Sequence, residues 1–191
     1  MIPDPLPSKP AADKVRRGRL ILIAVAVISA MPLLAALYYR FVSPPTPQAI
    51  AGTVLEPTPM AADALVDLEG KPWRDSTQQE HWTVIYASAA ACDALCKQTL
   101  YLTRQARTAQ GKHMNRVLRL WVLTDGDAPS PAVLAEHPDL VVLRAAPSWP
   151  QELRDARQFH LVDRRGLLVF RYPADVEPPR YLRELARLVK F

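Results

Sequence analysis

Residues 81 to 98 read HWTVIYASAAACDALCKQ, and the fold turns on how this stretch is parsed. His81 to Tyr86 is a short β-branched and aromatic run bounded by alanine and serine, the pattern of a buried strand. Cys92 to Ala109 then places Leu95, Leu102 and Ala106 at helical spacing, with Gly111 as the stop signal. The chain therefore passes from strand to helix across its only two cysteines, Cys92 and Cys96.

Downstream, VLRLWVL from Val117 to Leu123 predicts a second strand, ending in the turn-rich TDGDAP. Pro131 to Glu136 reads as one or two helical turns, Leu140 to Leu143 as a short strand, and Trp149 to Arg157 as a short helix. Phe159–Val162 and Leu167–Tyr172 flank DRRG, a hairpin signal with Gly166 closing the turn. Tyr181, Leu182, Leu185, Leu188 and Val189 line one face of a final helix that starts after Pro178 and Pro179. Strand, helix, strand, helix, hairpin, helix is the order of an α/β sandwich in the thioredoxin plan, with helices expected on both faces of the sheet.

Upstream the character changes. Residues 43 to 61, SPPTPQAIAGTVLEPTPMA, are proline-rich and nearly uncharged, which predicts a semi-extended spacer. Leu20 to Tyr39 is a run of twenty residues without a charge, about 30 Å of helix and enough to cross a bilayer core, with a kink expected at Pro32. Lys9, Lys14, Arg16, Arg17 and Arg19 precede this run and only Arg40 follows closely, so the positive-inside rule puts the N-terminus in the cytoplasm. The expected organisation is a cytoplasmic tail at 1–19, a single-pass anchor at 20–39, a linker at 40–61 and an exterior domain at 62–191.

From Phe41 onward 18 basic residues face 17 acidic ones. The high pI is thus a topology signal, and a near-neutral domain without a Lys/Arg run argues against nucleic acid as a partner.

Cysteines four apart share a helix face with Cα atoms about 6 Å apart, within disulfide range. The same spacing lets two thiolates clasp one soft ion such as Cu(I). The pair is read as redox-active, as metal-binding, or as two small buried residues, and an exterior compartment favours a disulfide whenever metal is absent. Cys92, at the helix entry, is expected to feel the positive end of the helix dipole.

The anchor, LVDLEG at Leu65–Gly70, the strand running into CDALC, VLTD at Val122–Asp125 and FHLVDRRG at Phe159–Gly166 together resemble the Sco/SenC family. More closely they resemble membrane-anchored Sco-like accessory proteins of bacterial cytochrome c oxidase. The resemblance covers residues 62 to 190. It implies a thioredoxin-like domain on the periplasmic side of the inner membrane. There the C-x3-C cysteines and one distant histidine bind copper for the oxidase, or keep the cysteines of an oxidase subunit reduced.

Cys92 and Cys96 match the family cysteines, although Asp93 and Lys97 stand where prolines commonly follow them. In the simplest register Asp155 occupies the position of the family histidine, and a hard carboxylate is a poor ligand for Cu(I). His81, His113, His137 and His160 are the remaining imidazoles. His113 beside Met114 is the candidate to supply a replacement ligand, whereas His160 lies inside a strand. No proline lies between Gln151 and Tyr172 to serve as the proline that thioredoxins place before their third core strand, which argues against general disulfide exchange. Asp125, Asp127 and Asp139 fit no EF-hand spacing and read as caps.

The expected function is assistance to cytochrome c oxidase assembly, through thiol–disulfide chemistry or Cu(I) handling at Cys92 and Cys96, and no conventional enzyme activity. The alternative is a docking module of the same fold with a structural disulfide. A third reading is an electron-relaying oxidoreductase fed by another membrane protein.

Overall fold

A computed structural model of the chain describes residues 11–41, 50–73 and 81–190. The chain divides into two units, Met1–Ala49 and Ile50–Phe191. In the first, α1 (Ala11–Phe41) continues through Pro32. Its segment Arg16–Ala35 is a helix long and apolar enough to cross a membrane. The spacer residues 43–49, and Lys9 of the basic tail, lie outside the described residues.

The second unit is built on one seven-stranded sheet, with β1 (Thr53–Pro59), β2 (Leu65–Val66), β3 (Trp82–Ser88), β4 (Val117–Leu123), β5 (Leu140–Ala145), β6 (Gln158–Val162) and β7 (Leu167–Pro173) in the order β1-β7-β6-β3-β4-β5-β2. β3, β4 and β5 are parallel, joined through α2 (Ala94–Thr108) and α3 (Pro131–Glu136). β6 and β7 form the expected hairpin, antiparallel to β3, and α4 (Pro178–Leu188) closes the chain. At the hairpin tip Gly166 has φ 82°, a left-handed conformation that glycine adopts without steric cost. The Asp163 carboxylate accepts from the N–H groups of Arg165 and Leu167 at 2.8 and 3.0 Å.

Strand alternation divides the interior into two cores. Val84, Tyr86, Trp121, Phe159, Leu161 and Tyr172 point to the face covered by α2 and α4, where Leu100, Ala106, Tyr181 and Leu185 meet them. Phe159 stacks on Tyr172 at 5.2 Å between ring centroids, and Tyr181 meets both rings edge-on at 5.0 and 4.9 Å. Ile85, Ala87, Leu120, Val122, Val162 and Leu168 point the other way, onto Met60, Leu65, Trp149 and Leu153. The chain is thus a thioredoxin-like α/β fold. The layer over the second face is made of short 3-10 turns at Ala62–Ala64 and Gln151–Leu153 and the segment between them and the sheet, rather than of long helices.

Two expectations are corrected. Thr53–Pro59, read as spacer, is the edge strand β1, antiparallel to β7. An edge strand tolerates the donorless Pro57 and Pro59, and a register shift between Val54 and Thr58 takes up the irregularity. Trp149–Arg157, read as a short helix, makes only the turn Gln151–Leu153. Trp149 is buried in the second core, and Arg154 donates to the Ala146 carbonyl at 2.6 Å, tying the segment down as a loop.

Candidate functional site

The parallel strands β3, β4 and β5 all end at the same edge of the sheet, and the chain leaves β3 there through Ala89–Ala91 to reach the cysteines. Cys92 and Cys96 form a disulfide with Cα atoms 5.1 Å apart, and both are almost wholly buried, at 3% and 1% exposure. α2 begins at Ala94, two residues later than the sequence reading, with Asp93 as its cap: the carboxylate accepts the Cys96 N–H at 2.8 Å. Cys92 therefore precedes the helix, with φ 45°, and Cys96 sits in the first turn. The helix dipole expected at Cys92 acts on Cys96 instead, where the anionic cap has already taken the amide and disfavours a second negative charge nearby.

The sulfur of Cys96 has a built polar neighbour. The Trp121 indole N–H donates to Ser88 Oγ at 2.8 Å, and Ser88 Oγ lies 3.4 Å from Cys96 Sγ. With its one proton the hydroxyl donates either to that sulfur or to the Ala89 carbonyl, also 3.4 Å away. The loop itself is fixed by Asp125, whose two oxygens both accept the Ala90 N–H at 3.1 Å, and by the Thr124 N–H donating to the Ser88 carbonyl. Asp125 anchors a loop and is not the helix cap that the sequence suggested. Asp139 stands at the opposite end of the sheet, before β5, bonded to the core guanidinium of Arg119 at 3.1 Å.

The histidines do not converge on the cysteines. His81, His113 and His137 precede β3, β4 and β5 respectively, so all three lie at the starting edge of those parallel strands. The cysteines are at the finishing edge, a strand of seven residues or about 20 Å away. His113 stands in the turn Gly111–Arg116, crowded by the charges of Arg116, Lys112 and Lys190, and Met114 is exposed beside it. That pair cannot reach the thiols. His160 is buried in β6 and faces the second core.

Asp155 is at the correct edge. The Tyr86 hydroxyl donates to the neighbouring Ala156 carbonyl at 3.1 Å, and burial pushes that phenol up to about 12, with Asp93 and Asp155 both adding to the shift. The Asp155 carboxylate is half exposed and accepts the Arg157 N–H at 2.9 Å. Two sulfurs and one already engaged carboxylate are not the two-sulfur, one-imidazole set that the resemblance implies. Among the described residues no group of three His, Cys, Asp or Glu side chains is placed to hold a metal ion. The residues do not fit a resident three-donor copper site. Supplying the missing donor is expected to create one: Asp155→His should raise the Cu(I) affinity of the reduced protein at least about tenfold, 1.4 kcal/mol. Anaerobic titration against a competing chelator measures it, and equal affinities would show that residue 155 does not face the sulfurs.

Comparison with known proteins gives the architecture its place. A family profile described as the transmembrane-like, thioredoxin-like C-terminal domain matches residues 82–191. The chain belongs to this family. Within it, the strand running into the cysteine helix opens the matched region and α4 closes it. No curated protein matches the chain.

Among solved structures, the apo Sco1 of Thermus thermophilus superposes with a TM-score of 0.56 at 21% identity, covering 75% of this chain and 99% of that one. Yeast Sco1 with copper bound gives 0.53 at 18% identity, covering 71% and 91%. ScoI of Bradyrhizobium japonicum with copper bound gives 0.50 at 20% identity, covering 71% and 99%. These likenesses establish a thioredoxin-like fold shared with Sco proteins.

Several residues of the site were not singled out in the sequence. Ser88 and Trp121 form the polar contact to Cys96, and the signal for it was the indole itself: a buried tryptophan gains by finding a partner for its N–H. Asp93 was noted only as a missing proline, although Asp three residues before the amide of Cys96 is a helix-cap spacing.

Proposed function

We propose that this protein is a single-pass inner-membrane protein of bacteria, cytoplasmic at its N-terminus, whose periplasmic domain reduces the disulfide of an oxidase subunit or assembly factor during cytochrome c oxidase assembly. The observation that carries the reading is the Cys92–Cys96 disulfide at the start of α2, with a hydroxyl on one sulfur and no imidazole at hand. The chemistry is two-electron thiol exchange. The Cys92 thiolate attacks one sulfur of the partner disulfide, forming a mixed disulfide and releasing one partner thiolate. The Cys96 thiolate then attacks Cys92 Sγ and releases the second. The partner leaves with two thiols, and the domain is left oxidised, as in this structure, until another exterior thiol protein reduces it.

One feature supports reduction over oxidation. An oxidant of this class is strong because its dithiol form is stabilised. Here the Asp93 carboxylate at the helix cap works against a thiolate at Cys96 and so favours the disulfide. The basic residues ahead of α1 and the apolar length of that helix support a periplasmic location.

A chromosomal Cys92→Ser, Cys96→Ser strain tests the reading. Oxidase activity at limiting copper should fall to the level of a deletion strain, while the variant protein accumulates normally in the membrane. Full activity in that strain would discard the thiol mechanism and leave the docking role.

A further inference from the structure

On the face of the sheet opposite the cysteines, the second core opens into a cavity of about 290 Å3 between β1, β6 and β7 and the turn at Gln151–Leu153. By liquid water volume it has room for about ten non-hydrogen atoms. Leu55, Leu153, Leu168 and Pro150 supply apolar walls. His160 also lines it, and the residue is 96% buried, with 4% exposure.

No hydrogen bond or ion pair joins the imidazole to any described residue, and its nitrogens are not sealed away among the buried unpartnered atoms. They open on the cavity. A buried polar group left without a partner carries the cost of its lost hydration, and this one is turned toward a space that a ligand could fill. Arg171 is the register partner of His160 across β6 and β7 and lines the same cavity. It too has no ion pair within 4.0 Å among the described residues.

Glu56 and Glu152 also line the cavity, and both are exposed. Arg171 and Asp155 both act on the His160 charge, in opposite directions. The cavity therefore combines two donors paired across β6 and β7, His160 and Arg171, with apolar walls and two exposed carboxylates that form no ion pair with Arg171.

We propose that this cavity is a binding site for a small monocarboxylate with an apolar body, its carboxylate held by Arg171 and His160. The arrangement is independent of the thiol chemistry and goes beyond it. A neutral imidazole donates one hydrogen bond, and the guanidinium donates charge-assisted ones. Leu55, Leu153 and Leu168 cover a short hydrocarbon chain. Glu56 and Glu152 disfavour a second negative charge in the cavity and favour an ammonium.

Three probes of equal length separate these features: hexanoate, 6-aminohexanoate and adipate, with hexanamide as the uncharged control. Each is titrated by ligand-observed NMR or calorimetry into the full-length protein in zwitterionic lipid nanodiscs, with empty nanodiscs as blank. Hexanoate should bind saturably with Kd of about 1 mM, the scale for so small a ligand. 6-Aminohexanoate should bind at least as well, and adipate and hexanamide more weakly.

Arg171→Gln, a change at an exposed side chain, should weaken hexanoate at least about tenfold. N-acetyl-leucine distinguishes the source of the carboxylate: tighter binding than hexanoate assigns the site to a peptide C-terminus, weaker binding to a free acid. Absence of saturable binding by every carboxylate would overturn the proposal, as would binding that Arg171→Gln leaves unchanged.

Discussion

Asp139→Asn is expected to destabilise the unit Ile50–Phe191 by about 3 kcal/mol, more than Arg119→Met does, although the arginine is the more deeply buried partner. The guanidinium of Arg119 is 1% exposed inside β4, on the face packed by α2. It donates to Asp139 at 3.1 Å, to the Leu100 carbonyl at 2.7 Å and to Thr103 Oγ1 at 3.3 and 3.1 Å. Removing the carboxylate leaves a positive charge in the core with only neutral acceptors. Removing the arginine leaves a carboxylate that is 21% exposed and still 3.6 Å from Arg107, while methionine refills much of the arginine's apolar path. Denaturant unfolding of the two variants decides the order. A smaller loss for Asp139→Asn than for Arg119→Met would mean that the cation is stabilised by something other than its ion pair. The same pair works in acid: burial opposes the Asp139 charge, but Arg119 outweighs it and holds the carboxyl below its usual range. Its contribution is complete above the unfolded carboxylate range and disappears only as pH falls below it.

A second large effect lies at milder acidity. His160 is pushed down from the ordinary 6.5 to about 4, chiefly by burial, then by the charge of Arg171, with Asp155 opposing. A base whose pKa is depressed on folding binds fewer protons in the native than in the unfolded state between those two values. Stability therefore rises with pH across that window and is fully present above about 6.5. Lowering the pH from about 6.5 to about 4 should remove about 3 kcal/mol at 1.36 kcal/mol per unit. Thermal unfolding from pH 7 to pH 4 measures this, and His160→Leu should flatten the slope. An unchanged slope in that variant would place the linkage at His137, which burial also pushes down from the ordinary value, since Asp139 and Asp163 titrate below this range.

The regular part of the fold was legible because its signals are local. The strand at Trp82–Ser88, the VLRLWVL strand, the DRRG hairpin and the amphipathic α4 are each specified by spacing and turn chemistry within a few residues. What escaped depends on partners far along the chain. β1 looks like linker because Pro57 and Pro59 are poor strand residues, and only β7, more than a hundred residues later, makes it an edge strand. Arg119 interrupts an apolar run, and only Asp139 and α2 explain it.

The candidate site was legible to the same extent. Cysteines four apart announce a pair, and Asp155, reached by counting back from the hairpin, lies before β6 at the edge of the sheet where β3 ends. The positions of the histidines were not readable. Whether an imidazole precedes a parallel strand or follows it fixes which end of the sheet it occupies, and that depends on strand directions that spacing alone does not give.

The thiol reading depends on a disulfide that opens under the conditions of the cell. The most direct test equilibrates the full-length protein in a series of glutathione and dithiothreitol buffers and counts free thiols by alkylation and mass. A midpoint between about −300 and −200 mV, reducible but more reducing than the disulfide oxidants, is the predicted result. A midpoint below about −300 mV would make Cys92–Cys96 a structural bond and contradict the proposed exchange.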